Sequence, residues 1–480
     1  MNFSLIFRMV GWVLVALAGL LLLPLICALC YGESVLPYLY TILLSGVLGG
    51  LALLFIRPRK KALYAREGYL TVALSWIIVS LIGCLPFLFS GAIPRFADAF
   101  FETVSGFTTT GSTILTDIES LPRGILFWRS FTHWIGGMGV IVFIMAILPS
   151  AGSGSVHIMK AEVPGTSFGK MAPKLKVTAK WLYYIYIALT LIMVIFLLGG
   201  GMSLFDSLVH AFGTAGTGGF SVYNTSIGHY NNLYFEIVIT VFMLLFGINF
   251  NVFFLLLIRD FKSVLKSDEM WTYLGIVATV SLVIAFNITS LYQNFAEALR
   301  YSSFQVASII TTTGYSTADF CNWPVFSQTI LVLLTFCGAC GGSTGGGIKV
   351  TRFLLMAKKL KRDLHQMIHP RSVKAIRLNG KQVEESTISD LTAYLVAYIF
   401  IASIGFLLIS LDKGDFATSF TAMATCLNNV GPGLGAVGPT GNFSFFADGT
   451  KYVLSALMLF GRLEIFPLLL SLSPVLYRGR

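Results

Sequence analysis

Ten stretches of the chain are long and apolar enough to cross a lipid bilayer, and this feature limits the fold more than any other. A transmembrane helix needs about 20 mostly apolar residues. Only 11% of the residues are charged, whereas soluble domains average about 25%. The sequence therefore predicts an all-α polytopic membrane protein and excludes soluble, disordered and nucleic-acid-binding classes. The stretches begin near Val10, Pro37, Tyr69, Ile125, Trp181, Asn232, Trp271, Val325, Leu391 and Lys451.

The basic residues predict how the chain is oriented. Most of the 33 Lys and Arg residues lie near the two termini or in the segments 57–66, 160–180, 259–266 and 349–381. A ten-span arrangement places all of these on one side of the membrane, together with both termini. Loops rich in Lys and Arg remain in the cytoplasm. The sequence thus predicts a multi-pass membrane protein with both termini cytoplasmic.

A fourfold internal repeat follows the first two spans. Each unit reads as a span, a short half-helix, a glycine-containing turn and a second span. The half-helices begin near Ala97, Met202, Ala296 and Phe416, and an acidic residue lies near each start. Four such units place four equivalent turns around one axis. The turns are Thr108-Thr109-Thr110-Gly111, Ala215-Gly216-Thr217-Gly218, Thr311-Thr312-Thr313-Gly314 and Asn428-Asn429-Val430-Gly431.

The chemistry of these turns favours a monovalent cation. Irregular backbone at membrane depth is tolerated only where it lines a cavity. Carbonyl and threonine oxygens from four loops can replace the hydration shell of a monovalent cation, and the negative C-terminal ends of the half-helices would face that ion. Close helix packing explains one Thr/Gly turn equally well but not four in the same place. The predicted ion-binding residues are Thr109, Thr110, Gly111, Thr217, Gly218, Thr312, Thr313, Gly314, Asn429, Val430 and Gly431.

These motifs resemble the four selectivity filters of the Trk/Ktr/HKT potassium-transporter superfamily. The matching segments are TTTG followed by Ser112-Thr113, AGTGGFS at 215–221, TTTGYS at 311–316 and NNVGPGLG at 428–435. The two extra N-terminal spans and the segment Gly461-Arg462-Leu463-Glu464-Ile465 are similar to the bacterial TrkH branch. This similarity implies a location in the bacterial inner membrane. The resemblance implies a homodimer with one K⁺ pathway per subunit, and a cytosolic nucleotide-binding regulator of the TrkA type. It also implies Gly111, Gly218, Gly314 and Gly431 as filter glycines. Gly111 favours K⁺, since some Na⁺-selective plant relatives carry serine there.

The eighth apolar stretch is interrupted by a run of glycines between Cys337 and Lys349. Six glycines in eleven residues cannot hold a helix, because each costs up to about 1 kcal/mol relative to alanine. The interruption predicts a mobile loop below the third turn, and the resemblance implies an intramembrane gate. A passive kink is the alternative, and a nucleotide-binding P-loop is rejected because Ile348 separates Gly347 from Lys349. The predicted gate glycines are Gly338, Gly341, Gly342, Gly345, Gly346 and Gly347.

Arg462 is the last predicted gate residue. It lies inside the final apolar stretch, where an ionisable side chain usually faces the bundle interior and has a function. Pairing with Glu464 is not expected, because residues two apart point in different directions on a helix. We expect Arg462 to raise an electrostatic barrier and to hydrogen-bond the glycine-rich loop. Lys349, in contrast, is interpreted mainly as the first residue of the cytoplasmic basic cluster.

The sequence divides into an N-terminal pair of spans and four repeat units. The basic loops 152–180 and 349–385 are expected to contact lipid headgroups and to dock the regulator. No cofactor is expected, and K⁺ is the substrate. The predicted units are 1–67 with two helices, 68–150 as repeat one, 151–258 as repeat two with its preceding cytoplasmic loop, 259–362 as repeat three with the gating loop, and 363–480 as repeat four.

Other functions are less compatible with these residues. A membrane enzyme would need a nucleophile and base, or paired acids, within its spans. Glu464 is the acid that lies deep in a span, and no histidine lies near a nucleophile there. A symporter for a larger solute would need intramembrane carboxylates. The prediction is therefore a non-enzymatic K⁺ uptake protein, and a Na⁺ or mixed alkali-cation transporter or symporter is the alternative.

Overall fold

The computed structural model describes residues 1–57, 64–139 and 175–474. The boundary predicted between residues 150 and 151 lies outside these residues, as does nearly all of the predicted docking loop 152–180. The regular structure of the described part is helical except for one short antiparallel hairpin, β1 (Arg377–Leu378) and β2 (Lys381–Gln382). The all-α fold class predicted from the sequence is confirmed.

The helices of the first half begin with an N-terminal group and continue through two repeat units. A close contact at Gly49 packs α3 against α1, since a Cβ added there would lie 2.8 Å from the carbonyl oxygen of Gly11. Small residues at such crossings let helix backbones approach. The helices are α1 (Phe3–Leu20), α2 (Leu22–Cys30), α3 (Leu36–Phe55), α4 (Ala65–Gly83), α5 (Leu85–Phe89), α6 (Phe96–Phe107), α7 (Arg123–Gly137), α8 (Leu175–Gly199), α9 (Leu204–Gly216), α10 (Leu233–Gly247) and α11 (Phe250–Leu257).

The helices of the second half repeat the order of long and short elements. A buried cluster of apolar side chains joins the first and last repeat units, and two further clusters fill the second and third. The core therefore surrounds the middle of the bundle. The helices are α12 (Phe261–Leu265), α13 (Asp268–Ile288), α14 (Phe295–Ile310), α15 (Val325–Cys337), α16 (Val350–Ile368), α17 (Glu385–Ile409), α18 (Phe416–Asn428), α19 (Asp448–Arg462) and α20 (Phe466–Leu472).

Within the described residues, six helical segments are individually long and apolar enough to span a membrane. The bent pairs α10–α11 and α19–α20 raise the number to eight. The other two predicted spans begin at Ile125, where α7 runs to the edge of the described residues, and at Val325, where α15 is short. Large apolar side chains such as Phe55, Phe286 and Leu411 are more than two-thirds exposed. This is an integral membrane protein, and these side chains suit a lipid-facing surface.

Four of the shorter helices, α6, α9, α14 and α18, are the predicted half-helices. An acidic residue lies in the first turn or at the N-cap of each, where it interacts favourably with the positive end of the helix dipole. Most of their side chains are buried. The helices therefore lie inside the bundle and end within it. The four acidic residues are Asp98, Asp206, Glu297 and Asp415.

Two interruptions break long helices near the centre of the bundle. α15 ends at Cys337 and α16 begins at Val350, and residues 338–349 between them contain no helix; we call them the glycine-rich segment. The second interruption bends α19 against α20 by 120°. Glu464 and Ile465 have φ angles of 50° and 72° at this bend. A β-branched residue in this region is strained, so the bend is held by its surroundings.

Candidate ion pathway

The four half-helices end in the same backbone conformation. The residues Thr109, Thr217, Thr312 and Asn429 have φ angles of 56°, 57°, 59° and 55°. Helices commonly end with a left-handed residue, but glycine usually fills that position. A threonine there costs energy. Three threonines and one asparagine in this conformation therefore indicate a geometry that the surrounding structure imposes. We call these four residues the inner ring.

Two residues after each member of the inner ring, a glycine also has a positive φ. These glycines are Gly111, Gly219, Gly314 and Gly431, with φ angles of 81°, 77°, 81° and 99°. The second turn therefore differs by one residue from the alignment made on sequence. Gly218 occupies the place of Thr110, Thr313 and Val430, because each of these four amides donates to the carbonyl five residues earlier. Either glycine of the Gly218-Gly219 doublet could have matched Gly111 in the first turn, and the structure places Gly219 at that position.

The turns contact one another in a closed circle. A Cβ added at Gly111 would overlap the carbonyl oxygen of Gly218 in the second turn. An added Cβ at Gly219 would overlap Thr313 O, and one at Gly314 would overlap Val430 O. The circle closes where a Cβ on Gly431 would lie 2.8 Å from the carbonyl oxygen of Thr110. The four turns therefore surround one axis in the order one, two, three, four.

This arrangement gathers many oxygen atoms in a small space. Each turn brings a backbone carbonyl against a glycine of the next turn, and each member of the inner ring carries a side-chain oxygen. The inner-ring side chains are fully buried. Four loops of carbonyl and hydroxyl oxygens can take over the hydration shell of an alkali cation. The geometry thus permits cation binding without any carboxylate ligand.

A buried ion pair supports the first and second turns from behind. The Arg129 Nε atom lies 2.6 Å from Glu102 Oε1, and both side chains are at most 2% exposed. The same carboxylate accepts hydrogen bonds from Thr113 Oγ1 and the Ile114 amide. Arg129 also donates to Ser221 O at 3.0 Å. The pair therefore fixes the segments that leave both turns. The sequence patterns did not predict this pair, although Glu102 inside an apolar half-helix was an available signal.

His133 joins the same two repeat units one helical turn further along α7. Its Nδ1 atom lies 2.8 Å from Gly106 O, and its Nε2 atom lies 3.3 Å from the amide nitrogen of Phe220. Because the amide must donate, Nε2 accepts and Nδ1 carries the proton. The imidazole is fully buried against Gly218. Both ring nitrogens are thus used in contacts within the bundle.

The glycine-rich segment lies directly against the inner ring. The Gly346 amide donates to Thr312 Oγ1 at 2.6 Å. A Cβ on Gly346 would overlap the carbonyl oxygen of Asn428, so a larger residue would not fit there. Gly345 is equally close, because a Cβ there would lie 3.0 Å from Thr311 O. Of the six predicted gate glycines, these two are therefore the ones that contact the turns.

The other four gate glycines anchor the segment. Gly338 and Gly347 both have positive φ angles, and a Cβ on Gly347 would lie 2.8 Å from the Cα of Gly338. The Gly341 amide donates to Glu269 Oε1 at 2.6 Å. The carbonyl of Gly342 accepts from the Phe250 amide at 3.0 Å. The segment is thus tied to α11 and α13 as well as to the turns.

Arg462 connects the glycine-rich segment to the first turn. Its guanidinium donates to Thr344 O at 2.8 Å and to Thr109 Oγ1 at 3.3 Å. It also donates to the carbonyls of Gly136 and Gly137 at the end of α7. Glu464 forms an ion pair with Arg352. The arginine therefore lies under the turns with its charge directed at backbone and hydroxyl oxygens.

Lys349 was expected to begin the cytoplasmic basic cluster, and the structure places it elsewhere. The side chain is buried and its Nζ atom contacts the carbonyl oxygen of Gly345. The backbone has a φ of 82°, which turns the chain back into the bundle before α16 begins. Lys349 is therefore part of the glycine-rich segment.

A cavity of about 90 Å³ lies on the other side of the glycine-rich segment. Its lining includes Trp76, Gly346, Lys349, Arg462 and Glu464, and no described residue of the four turns. The segment and Arg462 therefore separate the turns from this cavity.

Comparisons with known proteins give one consistent result. The family model for TrkH, described as a cation transport protein, matches residues 38–476. The chain is 37% identical to the Trk system potassium uptake protein TrkH of Salmonella typhimurium over 100% of both chains. It is 33% identical to TrkG of Escherichia coli over 95% of each. The fold is also similar to the crystal structure of the potassium transporter TrkH from Vibrio parahaemolyticus. The two chains match over 100% of each, with a TM-score of 0.89 and 35% sequence identity.

Proposed function

The chain belongs to the TrkH family of cation transport proteins, and we propose that it takes up potassium through the opening surrounded by its four turns. It is a transporter and not an enzyme. Potassium is the transported substrate, and no cofactor enters the proposal. In this proposal the protein lies in the bacterial inner membrane, with both of its termini in the cytoplasm. Its proposed architecture consists of the five units predicted from the sequence, from the pair of spans at 1–67 to repeat four at 363–480.

The single observation that supports a filter is the closed circle of contacts between glycines and carbonyls. In this proposal the carbonyl and side-chain oxygens of the turns replace the water around K⁺. The glycines with positive φ let successive carbonyls point the same way without a Cβ penalty. The residues proposed to bind K⁺ are Thr109, Thr110, Gly111, Thr217, Gly218, Gly219, Thr312, Thr313, Gly314, Asn429, Val430 and Gly431.

Rubidium-tracer uptake into proteoliposomes tests the filter. Wild type should take up ⁸⁶Rb⁺, K⁺ should compete strongly, and Na⁺ and Li⁺ should compete weakly. Gly314→Ser should reduce this discrimination, because the new side chain would overlap Val430 O. Gly275→Ser is the matched control, since a Cβ there meets no atom within 4 Å. Unchanged ion preference in Gly314→Ser would show that the turns are not the filter.

The alternative is Na⁺ or mixed alkali-cation transport, with or without ion coupling. Buried acids that could relay a proton are paired in the structure, for example Glu102 with Arg129 and Glu236 with Arg300. This pairing favours a pathway without a carboxylate relay. In the uptake experiment, equal competition by Na⁺ and K⁺, or Rb⁺ uptake that requires a Na⁺ or pH gradient, would support the alternative instead.

The proposed gate consists of the glycine-rich segment and Arg462. Gly345 and Gly346 fill the space beneath the third and fourth turns, and Arg462 lies beneath the first. A positive guanidinium in a poorly hydrated passage repels a cation strongly. Because the segment leads directly into α16, movement of that helix would withdraw the gate. The other proposed gate residues are Gly338, Gly341, Gly342 and Gly347.

The exposed face of α16 supports the proposed partners. Leu360, Leu364, Met367 and Ile368 are each more than half exposed and follow the spacing of one helix face. Charged residues of the same helix are instead paired inward, as with Lys358 and Asp268 at 2.7 Å. We call the four apolar residues the apolar stripe. In the proposed homodimer a second copy covers it, and the basic surface around it receives a cytosolic TrkA-type nucleotide-binding regulator.

Cysteine cross-linking tests the homodimer. Leu364→Cys should form a disulfide-linked dimer in membranes after mild oxidation. Phe286→Cys, which is exposed on another face, is the matched control and should remain monomeric on the gel. Wild type gives the background from the seven native cysteines. Equal cross-linking of both variants would place the dimer contact elsewhere.

A further inference from the structure

The four side chains of the inner ring are not equivalent in their hydrogen bonds. Thr312 Oγ1 accepts from the Gly346 amide at 2.6 Å. Thr109 Oγ1 accepts from Arg462 Nη1 at 3.3 Å. Thr217 Oγ1 instead donates to the carbonyl of Gly216 in its own turn. The two hydroxyls that the gate engages therefore belong to turns one and three, which lie across the axis from each other.

The fourth member of the ring leaves an oxygen without a donor. Asn429 Nδ2 donates to Thr110 Oγ1 and to Met458 O. Its Oδ1 atom is buried and has no hydrogen-bond partner. A Cβ on Gly346 would lie 3.0 Å from the Asn429 Cβ, so the gate also packs against the base of this side chain. A buried acceptor without a donor costs free energy, and a cation would satisfy it.

Gate donors and a cation would approach the same hydroxyl oxygens. A threonine hydroxyl has two acceptor lone pairs, and each accepted hydrogen bond occupies one of them. An ion bound among Thr109, Thr312 and Asn429 would also meet the positive charge of Arg462 at short range. Occupancy by the ion and by the gate donors is therefore mutually unfavourable.

We propose that the gate closes the pathway by taking ligand oxygens from a cation site formed by the inner ring, so that the gate and the permeant ion compete for this site. The inference rests on the proposed function and deepens it. Closure is then a change of partners at Thr109 and Thr312, in addition to a physical obstruction. A consequence is that the permeant cation itself favours opening when it fills the inner ring.

A matched pair of variants tests the competition. Thr312→Val and Thr217→Val each remove one inner-ring hydroxyl, but only Thr312 accepts from the gate. In proteoliposomes without any regulator, ⁸⁶Rb⁺ flux through Thr312→Val should exceed that through Thr217→Val by about threefold to tenfold, the value of one lost hydrogen bond. Thr312→Ser keeps the hydroxyl that accepts from the gate, so its flux should stay below that of Thr312→Val. Thr109→Val should match Thr312→Val, which covers the case in which one variant fails to fold.

The dependence of flux on ion concentration gives a second readout. Wild-type flux should rise more than proportionally with Rb⁺ at low concentrations, because the ion promotes opening. In Thr312→Val the rise should be proportional. Equal flux in the two valine variants, or a proportional rise in wild type, would contradict competition between the gate and the ion. The gate would then act only as a physical obstruction. Failure of the filter itself would be seen separately, as unchanged ion preference in Gly314→Ser.

Discussion

Arg352 near the start of α16 forms an ion pair with Glu464 at the bend between α19 and α20. Both side chains are largely buried, and the guanidinium also lies 4.0 Å from the centre of the Tyr394 ring. The pair joins the helix that follows the glycine-rich segment to the backbone that carries Arg462. Because Glu464 and Ile465 have positive φ angles, this contact is one of the interactions that hold a strained conformation in place.

Glu464→Gln should therefore loosen the gate. The substitution keeps the shape of the side chain but leaves a buried arginine without its counter-charge, which costs about 3–5 kcal/mol in known cases. We expect faster ⁸⁶Rb⁺ flux without regulator and a lower unfolding temperature. Asp448→Asn is the control, because its pair with Arg95 is exposed and contributes only about 0–1 kcal/mol. Slower flux in a stably folded Glu464→Gln protein would contradict this coupling.

Arg462→Ala should increase ion flux. It removes a positive charge beneath the first turn and hydrogen bonds to Thr344, Thr109 and the end of α7. Hydrogen bonds to charged groups contribute about 1.5–3 kcal/mol each, so an increase of about tenfold or more is expected. Arg462→Lys should be intermediate, since an ammonium cannot reach all four oxygens. Uptake of ⁸⁶Rb⁺ checks this, and unchanged or reduced flux in a monodisperse preparation would refute it.

Substitutions at Gly218 and Gly219 should have different effects. Gly219→Ser places a side chain at a positive φ against Thr313 O, so competition by Na⁺ against ⁸⁶Rb⁺ uptake should increase. Gly218→Ser places its side chain against the His133 ring and should mainly lower the unfolding temperature. Adding His133→Ala to Gly218→Ser should recover part of that loss. A selectivity change confined to Gly218→Ser would favour the alignment made on sequence.

Glu102→Gln should destabilise the protein and weaken ion discrimination. Arg129 is almost completely buried, so loss of its partner is expected to cost about 3–5 kcal/mol. The turns should then hold their carbonyls less rigidly, because Thr113 and Ser221 lose a common support. Thermal unfolding and the ratio of K⁺ to Na⁺ competition measure both effects. The exposed Asp390→Asn is the control, and equal stability of the two variants would show that the ion pair is not a support.

Much of the architecture could be predicted because it depends on local composition. Apolar stretches of sufficient length predict helices in lipid, and glycines predict where a helix ends, as at Cys337. The four half-helices begin within two residues of the predicted starts. Arg462 could be identified because a charge inside an apolar helix is costly unless it has a use.

The remainder depends on contacts between residues distant in the chain. The neighbouring turn and the His133 ring decide which glycine of the Gly218-Gly219 doublet takes the positive φ. The burial of Lys349 follows from a backbone reversal that its basic neighbours do not indicate. The pairing of Glu102 with Arg129 requires two helices to meet. No local pattern predicts a left-handed isoleucine at position 465.

The closed circle of turns has a consequence for how ion preference can change over evolution or by engineering. Each glycine is pressed against a carbonyl of the following repeat, so a bulkier residue in one unit displaces the oxygens contributed by the next. Exchanging a single turn with that of a relative would therefore disturb two coordination positions at once. New ion preferences should be reached most readily by coordinated substitutions in adjacent repeats, because the residues allowed in each turn depend on the carbonyl of the next.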